Sequence, residues 1–277
     1  MSRQLAAIPL SRLGRRRFRA VLAAVVLALA PFVRAADTVL AVEPPVIAGA
    51  ADLQFALAEI AEAFRAETGL SVTLTFGSSG NFARQIRQGA PFEMFLSADE
   101  DYALGLARDG FTRDEGTLYG IGRIVIFVPH GSPLRPDGGL DDLGAGLADG
   151  RITRFAIANP EHAPYGKRAE EALLHRGLWE AIQPKLVLGE NVGQAAQFAT
   201  SANAEGGIIA YSLARSPRVS ALGSYALIPA EWHSPLRQRM VLLKNSGPVA
   251  ERYYEYVQQP AARAIFRKYG FVLPVEE

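Results

Sequence analysis

The sequence predicts an α/β protein built of two similar three-layer α/β lobes joined by two crossover strands. Three observations carry that prediction. From Thr38 onward, short apolar runs alternate with amphipathic stretches, which is how the strands of a sheet covered by helices read. The strand–turn–helix unit recurs, first before residue 110 and again after residue 150, with no exact repeat of sequence. Between the two blocks stands Ile124-Val125-Ile126-Phe127-Val128, closed by Pro129. A run apolar on both faces fits a buried strand, here one that carries the chain out of the first lobe.

Residues 1–35 come first and read as a signal peptide. Arg12, Arg15, Arg16, Arg17 and Arg19 precede an apolar run over 20–33, and Val33-Arg34-Ala35 offers a cleavage site of the kind that ends secretory leaders. The run is broken by Pro31 and falls short of the roughly 20 apolar residues that cross a bilayer. Export to the periplasm is therefore expected, by the general or the twin-arginine route. The leader holds seven of the 29 basic residues and none of the 28 acidic ones, so the mature part carries 22 against 28, a net charge of −6. Its overall field does not gather an anion, and nucleic acid is not an expected partner. Having no cysteine, the chain has neither disulfides nor thiolate metal sites, and its stability rests on its core.

The elements follow in order. Val46-Ile47-Ala48-Gly49-Ala50 is a strand ending in small residues. Ala51-Asp52 leads into a helix with Leu53, Ala56, Leu57, Ile60, Ala61 and Phe64 on one face, closed by Gly69. Val72-Thr73-Leu74-Thr75-Phe76 is the next strand, broken at Gly77-Ser78-Ser79 and restarted as a helix ending near Gln88-Gly89. A strand over 92–98 runs into Asp99, a residue type suited to cap the helix carrying Tyr102, Leu104 and Leu106. After a loop-rich stretch over 131–150, Arg154-Phe155-Ala156-Ile157-Ala158 resumes the rhythm and turns at Asn159-Pro160-Glu161-His162-Ala163-Pro164-Tyr165 into a helix from about Gly166 to His175, stopped by Gly177. Leu186-Val187-Leu188 runs through Glu190-Asn191-Val192 into another helix, and Gly207-Ile208-Ile209-Ala210-Tyr211 is a further strand. Arg239-Met240-Val241-Leu242-Leu243 is the last strand, followed by helical faces at Tyr253, Tyr254 and Val257, then Ile265, Phe266 and Tyr269. This tail is read as returning to the first lobe. Lobe I is thus expected over 36–121 plus 231–277 and lobe II over 122–230.

Ligands of open α/β sheets bind beyond the carboxyl ends of the strands. Four such ends carry small, hydroxyl or turn residues directly before a helix: Ala51-Asp52, Ser78-Ser79, Pro164-Tyr165 and Asn191-Val192. Each helix start leaves amides unpaired and is equivalent to roughly half a positive charge. Two starts from each lobe, closing on a small anion, would hold it without Lys or Arg. Catalytic patterns are thin. The histidines at 130, 162, 175 and 233 form no His-Glu-x-x-His pair, and Gly77-Ser78-Ser79-Gly80 lacks the spacing of a nucleophile elbow, nor is there a phosphate loop or dinucleotide fingerprint. No enzyme activity and no cofactor are expected.

These residues resemble the periplasmic molybdate-binding proteins of ABC importers, within the bilobal type II solute-binding class. The carriers are Ala50-Ala51-Asp52-Leu53, Gly77-Ser78-Ser79 with Ala83-Arg84-Gln85-Ile86, Gly89-Ala90-Pro91 leading to Phe95-Leu96-Ser97-Ala98-Asp99, the run over 159–166, Glu190-Asn191-Val192, and Phe266-Arg267-Lys268-Tyr269-Gly270-Phe271. The resemblance implies a monomer that passes molybdate or tungstate to an inner-membrane permease. It implies Ser79 as hydroxyl and amide donor, Val192 as amide donor, Ala51 and Asp52 at a first turn, and Tyr165 as the phenol donor, with the oxyanion held through these residues and no bare metal-ion site. Many members carry Ser or Asn where this chain has Asp52. Because an ionised carboxylate repels a dianion, Asp52 is expected to cap its helix and to offer the ligand only a main-chain amide. The rivals are another small anion such as sulfate, phosphonate or an organic acid, and a secreted hydrolase using Ser79 with His162.

Overall fold

A computed structural model of the chain describes residues 43–201 and 203–274. The leader expected over 1–35 lies outside the described residues. The elements run β1 (Val46–Ala50), α1 (Gln54–Thr68), β2 (Thr73–Gly77), α2 (Ser79–Arg87), β3 (Met94–Ser97), α3 (Glu100–Arg108), β4 (Thr117–Gly122), β5 (Ile124–Pro129), α4 (Asp141–Ala148) and β6 (Phe155–Ala158). They continue with α5 (Pro164–His175), α6 (Trp179–Ile182), β7 (Leu186–Gly189), α7 (Val192–Thr200), β8 (Gly206–Ala210), α8 (Tyr211–Ala214), α9 (Pro217–Ser220), β9 (Gly223–Leu227), β10 (Leu236–Leu242), α10 (Pro248–Val257) and α11 (Pro260–Lys268).

Two five-stranded sheets form, in the orders β2-β1-β3-β10-β4 and β7-β6-β8-β5-β9. In the first, β1 runs parallel to β2 and β3, so their carboxyl ends share one edge. In the second, β6 runs parallel to β7 and β8 and does the same. Both sheets are mixed, because β10 is antiparallel to β3 and β4, and β5 is antiparallel to β8 and β9. The chain leaves the first sheet between Gly122 and Ile124 and returns between Leu227 and Leu236. The apolar run 124–128, expected to carry the chain out of the first lobe and counted with lobe II, is β5 and lies inside the second sheet, between β8 and β9.

The alternation of side chains along a strand explains the layers. Ile47, Met94, Leu96 and Met240 sit in the large apolar cluster with Leu57, Ile60 and Phe64 of α1. Their neighbours Ala48, Phe95 and Val241 point to the other face, where Phe82, Ala83 and Ile86 of α2 cover them. Gly69 ends α1 in the left-handed conformation (φ 73°), its N–H donating to Arg65 O, and Asp99 caps α3 by accepting the Asp101 N–H at 3.0 Å. At the centre, Phe64 meets the edges of Tyr253 and Tyr256 at 5.2 and 5.3 Å. The Tyr253 hydroxyl is buried without a hydrogen-bond partner. Such a group carries its desolvation with no return, so Tyr253→Phe should be neutral or stabilise by about 1 kcal/mol. Tyr253→Ala, which empties the ring's volume, should cost about 3–5 kcal/mol. Denaturant melts of the two variants check the pair.

Candidate functional site

The four strand ends picked out by their turn residues converge. Beyond Ala50 the chain makes a single 3-10 turn, Ala51–Leu53, and passes straight into α1. Beyond Gly77, Ser78 caps α2, its hydroxyl accepting the Asn81 N–H at 3.3 Å. Opposite them, Ala163 precedes Pro164 at the first position of α5, where a proline's missing N–H loses nothing. Asn191 caps α7, accepting the Gln194 N–H at 3.0 Å. Ala51, Asp52, Ser79, Tyr165 and Val192 all line one cavity between these starts. No Lys or Arg lines it. Its volume is only about 10 Å³, close to what one water needs. A compact group fits; a sugar or nucleotide does not.

Ser79 and Val192 open their helices, so their amides have no acceptor within the helix. Ser79 is fully buried, and its Oγ accepts the Ala98 N–H at 2.9 Å. That bond takes up a lone pair and leaves the hydroxyl's own hydrogen for a further acceptor.

Asp52 behaves otherwise than expected. The 3-10 turn that holds it has no side-chain cap. Instead Oδ2 accepts the Tyr165 hydroxyl at 2.9 Å and a Gln238 amide hydrogen at 2.8 Å. The Tyr119 hydroxyl donates to Gln238 Oε1 at 2.7 Å, which turns the amide nitrogen toward Asp52. Ser212 Oγ donates to the Asp52 main-chain oxygen at 2.8 Å. The side chain is thus held by Tyr165 and Gln238 and does not cap the helix. Burial pushes its carboxyl up to about 6, against the pull of Gln238 and Tyr165. Burial first, and the Asp52 charge second, hold the Tyr165 phenol well above its usual range. The phenol hydrogen expected to serve a ligand is given to Asp52 in this arrangement.

The lobes are closed over the cavity. The Gly80 N–H donates to His162 O at 3.0 Å, and His162 Nδ1 shares a hydrogen bond with Ser78 Oγ at 3.0 Å. Asn81 donates to Glu190, and Arg168 pairs with Asp99 at 2.8 Å. His162 therefore meets Ser78, the helix cap, and not Ser79, so the serine–histidine pair of the hydrolase reading is not formed. A β-carbon on Gly80 would lie 2.6 Å from His162 O, so the absent side chain is what lets the two main chains touch.

A family model described as bacterial extracellular solute-binding protein matches residues 45–272. The chain belongs to that family. Among its relatives is a molybdate-binding protein of Rhodobacter capsulatus, 38% identical over 217 residues, covering 77% of this chain and 82% of the relative. One of Escherichia coli (strain K12) is 33% identical over 229 residues, covering 81% and 87%. The solved periplasmic molybdate-binding protein of Azotobacter vinelandii superposes with a TM-score of 0.74 at 31% identity, covering 83% of this chain and all of that one. The two-lobed architecture of this solute-binding family is the one predicted.

Gln238, Tyr119 and Ser212 were not among the sequence candidates. Gln238 left one trace. In Leu236-Arg237-Gln238-Arg239-Met240 the alternate positions 236, 238 and 240 are buried, so a glutamine sits where the pattern calls for an apolar residue.

Proposed function

We propose that this solute-binding protein captures molybdate or tungstate in the periplasm and delivers it, as a monomer, to an ABC transporter permease in the inner membrane. The observation that carries the reading is a small buried cavity on which helix starts from both sheets converge without a single cationic side chain. Amide and hydroxyl donors around such a space suit a compact anion, and exclusion of water strengthens each of them. The names of the relatives, more than 30% identical over most of both chains, support the choice of anion.

The donors to the ion are the amides of Ala51, Asp52, Ser79 and Val192 and the hydroxyl of Ser79; no residue bonds the metal atom itself. Of the described residues, those up to 121 and from 231 onward form one jaw and those within 122–230 the other, turning about the two crossovers. The closed cavity, with room for about one water, is smaller than a tetrahedral oxyanion, so the occupant's size sets how far the jaws finally close. Nothing is done chemically to the ligand.

A melting-temperature panel tests this. Molybdate and tungstate at about 100 times their dissociation constants should add about 2.7 kcal/mol of stability, with sulfate and phosphate adding none at equal concentration. Stabilisation by sulfate alone, or by a carboxylic acid alone, would replace the reading with one of its rivals. Ester hydrolysis lost on Ser78→Ala would replace it with an enzyme.

A further inference from the structure

The Asp52–Tyr165 pair is short of one hydrogen for the task the cavity sets. With Asp52 ionised, the phenol hydrogen lies between Tyr165 Oη and Asp52 Oδ2. Neither side chain then offers a hydrogen to an anion in the cavity that both residues line. The other carboxylate oxygen, Oδ1, is buried and has no partner, and beside a dianion it is a repulsive lone pair.

One added hydrogen reverses this. Placed on Oδ1, it makes a donor directly. Placed on Oδ2, it turns the bond to Tyr165 around, and the phenol's own hydrogen is released. In both arrangements the pair gains one donor and loses one negative charge.

We infer that each oxyanion enters this cavity together with one proton from solvent, which the Asp52–Tyr165 pair holds. This rests on the oxyanion reading above. The groups around Asp52 leave no other way to neutralise it. From β4 comes the Tyr119 hydroxyl, from β10 the uncharged Gln238 amide, from α5 Tyr165, and from α8 the Ser212 hydroxyl on the main-chain oxygen. No Lys, Arg or His bonds Asp52 among the described residues. His162, across the cleft from α2, is engaged with Ser78 and stands 3.7 Å from Glu190. The carboxyl's burial already makes it hold a proton more tightly than a free one does. Asn at this position would supply a donor with no proton taken up, so the choice of Asp ties capture to acidity.

Titration calorimetry of the mature protein with molybdate, in two buffers of different ionisation heat at about pH 8, counts the protons. About one per ion is expected, with affinity falling about tenfold per unit between about pH 7 and about pH 9. Asp52→Asn should take up none, show a flat profile, and bind molybdate more than tenfold tighter than the parent at about pH 8. Binding by the parent with no proton uptake overturns the inference while leaving the oxyanion reading intact. Uptake that persists undiminished in Asp52→Asn also overturns it, and moves the proton to another group. No binding of molybdate by either protein at any pH ends the oxyanion reading and this inference with it.

Discussion

Valine in place of Gly80 is expected to weaken molybdate binding by about 100-fold while leaving the ligand-free fold as stable as before. The β-carbon alone would stand 2.6 Å from the His162 carbonyl oxygen, and main chain on both sides cannot swing aside as a flexible side chain would. Closure would then stop short. The Gly80 N–H to His162 O bond is lost, a net 0.5–1.5 kcal/mol, and a donor displaced from a charged partner forfeits about 1.5–3 kcal/mol more. Together these are about 3 kcal/mol, or about 100-fold. The open lobe does not feel the substitution, because Gly80 touches His162 only across the cleft. Calorimetry beside a ligand-free melt separates the two effects. Unchanged affinity would mean that capture does not need this contact.

The second large effect concerns stability without ligand. Asp52 has an ordinary carboxyl value of 3.8 in the unfolded chain and about 6 in the folded one. Below about pH 4 both states hold the proton and burial carries no ionic penalty. As pH rises from about 4 to about 6 the unfolded state ionises first, so this group's contribution to stability is lost, and it stays lost above. At about 1.36 kcal/mol per unit the loss comes to about 3 kcal/mol. Asp52→Asn should therefore melt later than the parent at pH 8, by about 6–12 °C for a chain of this size, and together with it near pH 4. Glu100, Glu171 and Glu205 have lowered values and act in the opposite sense, so the difference between variant and parent at each pH is the quantity to compare. An equal gain at both pH values would assign the effect to packing and not to charge.

Local signals were legible and distant ones were not. Gly69 as a helix stop and Asp99 as a cap needed only their neighbours to be read, since the physics they serve acts within one turn. The convergence of Ala51, Ser79, Tyr165 and Val192 followed from strand ends sharing one edge of a sheet. Two strands escaped notice. In β4, Gly120 and Gly122 weaken the strand signal, and β9 is a short, half-exposed edge strand opening on Gly223-Ser224. Asp52 was misjudged for a different reason. As a residue beside a helix start it reads as a cap, and its actual partners lie 113 and 186 positions away, on α5 and β10. The closing contact is main chain to main chain, between Gly80 and His162, and leaves no trace in side-chain chemistry beyond the glycine itself.

The account stands on a doubly charged ion being held by neutral donors where the two lobes meet. Anomalous diffraction at the molybdenum edge, from crystals of the mature protein grown with molybdate, tests that directly. One strong peak is expected between Ser79 and Val192, with Tyr165 and Asp52 beside it and no arginine or lysine in contact. A bare cavity, or a peak against surface arginines, would contradict it.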